Sequence, residues 1–168
     1  MHPLSLLSIG VLLWFLIKQQ HNALQQSAPW TLPPAGLPYR ANLALAEQRY
    51  GLPTGLLGRV AWQESRFRPD IIRGETVSSA GAVGLMQIVP RWHPEVDPTD
   101  PIASIDYAAQ YLRRLYDRFG DWQQALAAYN WGPTNLAMAL KSEGRQWRQA
   151  LPRETQNYIT DISRDVPV

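Results

Sequence analysis

Residues 104–133 read SIDYAAQYLRRLYDRFGDWQQALAAYNWGP, and their periodicity decides the fold class. Ile105, Ala108, Ala109, Leu112, Leu115 and Phe119 recur at helical spacing, so Ser104 to Phe119 is predicted as an amphipathic helix stopped by Gly120. Asp121 then supplies a cap for a second helix from Trp122 to about Asn130, with Trp122, Ala125, Leu126 and Tyr129 inward and Gly132-Pro133 beyond its end. Two helices joined by two residues must lie side by side, which begins a helical bundle.

The same signals extend in both directions. Tyr39 to Tyr50 reads as a helix ending at Gly51, Thr54 is placed to cap another running to about Ser65, and helices are predicted over Thr134 to Ser142 and Glu154 to Ile162. Between Asp70 and Asp100 the helical period disappears. Within that stretch Ala82 to Val89 (AVGLMQIV) is short and apolar enough for either a small strand or a buried turn. The expected fold is mainly α, a single compact helical domain over 39–168 with a small irregular or β segment.

Two further segments precede it. Leu4 to Ile17 is an uncharged run of 14 residues, roughly 21 Å as a helix, against a hydrocarbon core of about 30 Å. That length fits a signal peptide or short signal anchor, assigned to residues 1–20, and implies export with membrane association. No Lys or Arg precedes the run and Lys18 follows it, the reverse of the charge order that sends a C-terminus outward; no Ala-x-Ala site follows, which favours an uncleaved or inefficiently released anchor. Residues 21–38, rich in Gln and Pro, are predicted to be an extended linker.

Composition narrows the chemistry. The 168 residues are 45% hydrophobic and 18% charged, which excludes a disordered chain. With no Cys and three His, of which only His93 lies in the domain, thiolate chemistry and His-rich metal sites are excluded. Carboxylates and tyrosines remain. A net charge of +2 is too small for a dedicated nucleic-acid binder, and no nucleic acid, metal or cofactor is expected; 14 of the 16 basic residues are Arg, a choice that also fits an anionic or sugar-containing polymer.

Three constellations carry candidate chemistry. In the predicted second helix Leu56, Leu57, Val60 and Ala61 form an apolar stripe, and the next position on it is Glu64. A carboxyl directed at the core keeps its proton to higher pH, as a general acid requires; the alternative is that Glu64 turns outward or pairs with Arg66. The second is Gly81-Ala82-Val83-Gly84-Leu85-Met86-Gln87, whose glycines permit close backbone approach and whose Gln87 can both donate and accept. It lacks the Lys-Ser/Thr of a phosphate-binding loop. The third, Tyr129-Asn130-Trp131 at a helix end, offers rings for pyranose faces and an amide for hydroxyls, or simply a packed terminus.

Glu64-Ser65, the Gly81–Gln87 stretch, Ala128-Tyr129-Asn130 with Gly132-Pro133, and Glu154-Thr155 with Tyr158 together resemble the four ordered motifs of the soluble-type lytic transglycosylases, which share a lysozyme-like α+β fold related to goose-type lysozyme. The resemblance spans roughly Tyr39 to Ile162. It implies cleavage of the β-1,4 bond between N-acetylmuramic acid and N-acetylglucosamine in peptidoglycan glycan strands, forming a 1,6-anhydro sugar, with Glu64 as acid and then base. It further implies that Ser65, Met86 and Gln87 contact the sugar, that Tyr129 and Asn130 line the cleavage site, and that Tyr158 bounds the groove; the protein is expected to be a monomer acting in the cell envelope, in wall remodelling, secretion or phage lysis. Trp131 and Ser104 depart from the family pattern, which usually has a small residue and an Asn there. Rival functions are a water-using muramidase, in which an Asp such as Asp97 is as indispensable as Glu64, and a wall-binding protein with a vestigial site. His93 reads as a surface or packing residue.

Overall fold

A computed structural model describes residues 30–166 and Val168. The expected anchor and the first part of the expected linker lie outside them. Among the described residues no helix is long and apolar enough to cross a membrane. The packed unit begins at Leu32. It thus includes the end of the segment assigned to the linker: Pro34–Tyr39 forms a 3-10 helix laid against the core, because Gly36 has no Cβ to strike Phe67.

Among the described residues seven α-helices follow: α1 (Arg40–Tyr50), α2 (Leu56–Ser65), α3 (Pro69–Ile72), α4 (Pro101–Phe119), α5 (Trp122–Trp131), α6 (Pro133–Glu143) and, after a 3-10 turn over Gly144–Ala150, α7 (Arg153–Ser163). The helix α5 is central, packed against α4, α6 and α7, while α2 lies against α1 and α7. Its Ala125, Leu126, Ala127 and Ala128 are fully buried; three alanines in one turn let neighbouring backbones come close on all sides. The predicted stripe on α4 is buried from Ile105 to Leu115, and burying such aliphatic side chains contributes about 1.5–3 kcal/mol each.

Two predicted helix starts differ. Asp100 begins α4: its carboxylate accepts from Ile102 N and Ala103 N, with Pro101 preset in the first turn, so Ser104 lies inside the helix. Nor does Thr54 cap α2. That task falls to Glu47 on α1, whose carboxylate, buried there, accepts from Gly55 N at 2.9 Å and Leu57 N at 2.8 Å. Sequence distance hid this cap. The Ala82–Val89 stretch resolves as a tight turn closed by the antiparallel bridge Val83–Ile88.

Candidate active site

Glu64 occupies the last turn of α2, where the apolar stripe places it, and the chain reverses immediately afterwards. Arg66 and Phe67 both take left-handed conformations, with φ of 52° and 54°, which costs roughly 1 kcal/mol or more apiece. Ser65 secures the reversal: its hydroxyl donates to Ala61 O at 3.0 Å and accepts from Phe67 N at 3.2 Å, and Phe67 is driven into the core. Ser65 has no exposed surface, so the sugar contact expected of it is replaced by a fixing role beneath Glu64.

Opposite lies the glycine-rich turn. Gly84 adopts φ +80°, and a Cβ there would stand 1.8 Å from the Pro98 carbonyl oxygen, so no other residue fits. Gln87, at φ 49°, is the third non-glycine residue with positive φ among those described, and all three flank the site. Its side-chain amide donates to Gly84 O at 3.1 Å. Met86 is fully buried and therefore takes no part in lining the groove by its side chain; its carbonyl accepts from Tyr129 Oη at 2.9 Å, tying the turn to α5.

The remaining walls come from α5 and α7. Tyr158 donates to Glu64 Oε1 at 2.7 Å, which leaves Oε2 as the oxygen able to hold and deliver a proton. Thr155 donates to Asn130 Oδ1 at 2.7 Å, so the Asn130 NH2 is left as a donor for a ligand. Thr155 belongs to the Glu154-Thr155 motif but has no predicted role; its place in that motif, three positions before Tyr158 on one helical face, is the signal that points to it.

Glu64, Gln87, Tyr129, Asn130 and Tyr158 converge on a cavity of about 520 Å3, together with Gln63, Glu154, Asn157 and Asp161. It continues past Ala80, Gln87, Val89, Tyr129 and Asn130 into a second arm of about 670 Å3 that reaches Trp92, His93 and Trp131. Burial pushes the Glu64 carboxyl up to about 7; the Tyr158 hydroxyl opposes this by favouring the carboxylate, and the charge of Glu154 adds to it. Arg66, the alternative partner, instead bonds Gln63 and lies over Trp62. Tyr129 and Tyr158 are themselves held far above the ordinary tyrosine range by burial, and remain donors. Among the described residues no cluster of His, Asp or Glu has the geometry to hold a metal.

Because the Tyr158 hydrogen bond favours the ionised form, Tyr158→Phe is expected to raise the Glu64 pKa further. The alkaline limb of an activity–pH profile should move upward, measured on any glycan the protein cuts, with a smaller maximum rate.

A half-buried carboxylic acid, held by a tyrosine in a long polar and aromatic groove of a helical domain, has the chemistry a general acid needs. The transglycosylase SLT domain family matches residues 42–151, and the chain belongs to that family. It is similar to the "Transglycosylase" of Enterobacteria phage PRD1, at 37% identity over 98 residues, covering 56% of this chain and 35% of that protein. It is also similar to the "Membrane-bound lytic murein transglycosylase F" of Alcanivorax borkumensis, at 36% identity over 112 residues, covering 60% of this chain and 23% of that one. Among solved structures, an inactive mutant of the lytic transglycosylase Slt from Pseudomonas aeruginosa superposes with a TM-score of 0.61 at 25% identity, covering 76% of this chain and 23% of that one. The chain thus spans about a third or less of the length of these relatives.

Proposed function

We propose that the protein is a peptidoglycan lytic transglycosylase in which Glu64 acts first as acid and then as base. The observation that carries this reading is the Glu64 carboxyl, raised to about 7 and hydrogen-bonded by Tyr158 on the groove floor. Protonated Glu64 gives its proton to the glycosidic oxygen as the C1–O bond of the muramoyl unit breaks and the 4-hydroxyl of N-acetylglucosamine leaves. The carboxylate so formed takes the proton of the muramoyl C6 hydroxyl while O6 bonds to C1, closing the anhydro ring and restoring the acid. No water is consumed.

A hydrolase would need a second carboxylate, about 6.5–9.5 Å away as base or about 5 Å away as nucleophile. Asp97, the alternative carboxylate, is engaged with Thr99, and its neighbours in the chain are also held elsewhere: Asp70 with Arg68 and Thr76, Glu75 with Arg73, and Asp100 as the α4 cap. Glu154 and Asp161 do line the groove; Asp161 is paired with Arg164, while the charge of Glu154 raises the Glu64 pKa. Glu154 provides the test. Digestion of purified peptidoglycan should yield muropeptides lighter by one water than hydrolysis products, and Glu154→Gln should preserve that product while moving the alkaline limb downward. Reducing-end products, lost on this substitution, would instead identify a muramidase.

The Leu4–Ile17 run supports placing the protein at the membrane, as an anchor with the catalytic domain on the exported side and the segment up to Thr31 as tether. It should then remain with membranes washed in alkaline carbonate; release would contradict the anchor.

A further inference from the structure

The second arm of the groove is chemically unlike the first. Where Glu64, Glu154 and Asp161 surround the reacting end, the far arm is lined by Trp92, His93, Tyr107, Tyr111 and Trp131. The aromatic surface is continuous from the site outward: Tyr129 lies 5.9 Å from Tyr111, Tyr111 stacks on Tyr107 at 6.4 Å and 15°, and His93 sets its edge against both, at 5.0 and 5.4 Å. Stacked pyranose faces suit such a surface.

Its polar end has a defined direction. Tyr107 Oη donates to Glu95 Oε1 at 2.6 Å, and that hydroxyl holds the Glu95 carboxyl below the usual carboxylate range. A phenol has one proton, and here it is committed to the carboxylate. The 2.7 Å contact between Tyr107 Oη and His93 Nδ1 must therefore be filled by an N–H on Nδ1. In neutral imidazole this leaves the lone pair on Nε2. Three residues in series, Glu95, Tyr107 and His93, thus fix a histidine at the groove wall as a hydrogen-bond acceptor among rings.

We propose that the far arm binds an N-acetylated pyranoside beyond the pair being cleaved, its ring on the aromatic wall and its acetamido N–H donated to His93 Nε2. The proposal rests on the glycan-cleaving reading above and adds the group by which a distant sugar is recognised. His93 and Tyr107 would then be specificity-determining residues that do not touch the reacting atoms.

The test is equilibrium binding of N-acetylchitohexaose and of cellohexaose, the acetamido-free analogue, to Glu64→Gln protein, which cannot turn them over. Adding His93→Leu should weaken chitohexaose binding about tenfold, the typical worth of one hydrogen bond in a partly dry site, and leave cellohexaose binding little changed. Tyr107→Phe, which frees the imidazole to change tautomer, should give a smaller loss of the same selectivity. Thermal midpoints within a degree or two of the parent would show that both variants fold. Equal chitohexaose affinity with and without His93, or an equal loss for both sugars, would overturn the proposal. Wild-type protein that leaves peptidoglycan uncut while its Glu64→Gln form still selects chitohexaose through His93 would remove the catalytic reading and keep this site.

Discussion

Replacing Glu64 with Gln is expected to slow glycan cleavage by orders of magnitude and, at pH 8, to make the protein more stable. The rate should fall by about 10²–10⁴, the usual contribution of a general acid, since the amide holds no transferable proton. The stability gain has the same cause. In the unfolded chain Glu64 ionises near 4.5; folded, it keeps its proton up to about 7. The native state therefore binds more protons between those values, and stability declines as pH rises through that window, with the whole cost present above it. At about 1.4 kcal/mol per pH unit the cost is about 3 kcal/mol, an upper figure because the site can relax. Gln, never charged, escapes it. Denaturant melts of the two proteins should coincide near pH 4 and separate by up to that amount at pH 8. A site residue that destabilises its own fold when ionised is one placed for chemistry.

Gly84→Ala is expected to be the most damaging small substitution in the domain. The added methyl would overlap the Pro98 carbonyl oxygen at 1.8 Å, a backbone atom, in a conformation with φ +80°. Relief requires the turn to part from the Asp97–Pro98 segment, so a loss of about 4 kcal/mol or more, roughly 15 °C in melting temperature, is expected, together with loss of activity as Gln87 moves. Gly81→Ala is the control: φ is +82° but no atom stands within 4 Å of its Cβ, so only the backbone preference of about 1 kcal/mol is at stake. Similar melting temperatures for the two variants would show that close approach is not what Gly84 provides.

The helical fold was legible because burial on α4 and α5 follows local spacing: Ile105, Ala108, Ala109, Leu112 and Leu115 are buried where the period puts them. Glu64 was legible for the same reason, as a carboxyl continuing the stripe of α2. What escaped depends on contacts that helical periodicity does not encode. The Glu47 cap on α2 replaces Thr54 because a buried carboxylate from another helix reaches the orphan amides first. Ser65 and Met86 stand next to Glu64 and Gln87 in sequence, yet their side chains are buried: the Ser65 hydroxyl fixes the turn after Glu64, and the Met86 backbone carbonyl holds Tyr129. Thr155 and the Glu95–Tyr107–His93 series could not be paired without the fold, since each joins residues separated by 12 positions or more.

Cleavage by Glu64 turns on one proton. Carbon-13 NMR of glutamate side-chain carboxyls, assigned by comparison with Glu64→Gln and followed from pH 3 to pH 9 in sugar-free protein, reads the Glu64 titration directly. A midpoint near 7, moving down in Glu154→Gln and up in Tyr158→Phe, is the predicted result. A midpoint near 4.5, the value of an ordinary glutamate, would contradict a general acid at this position.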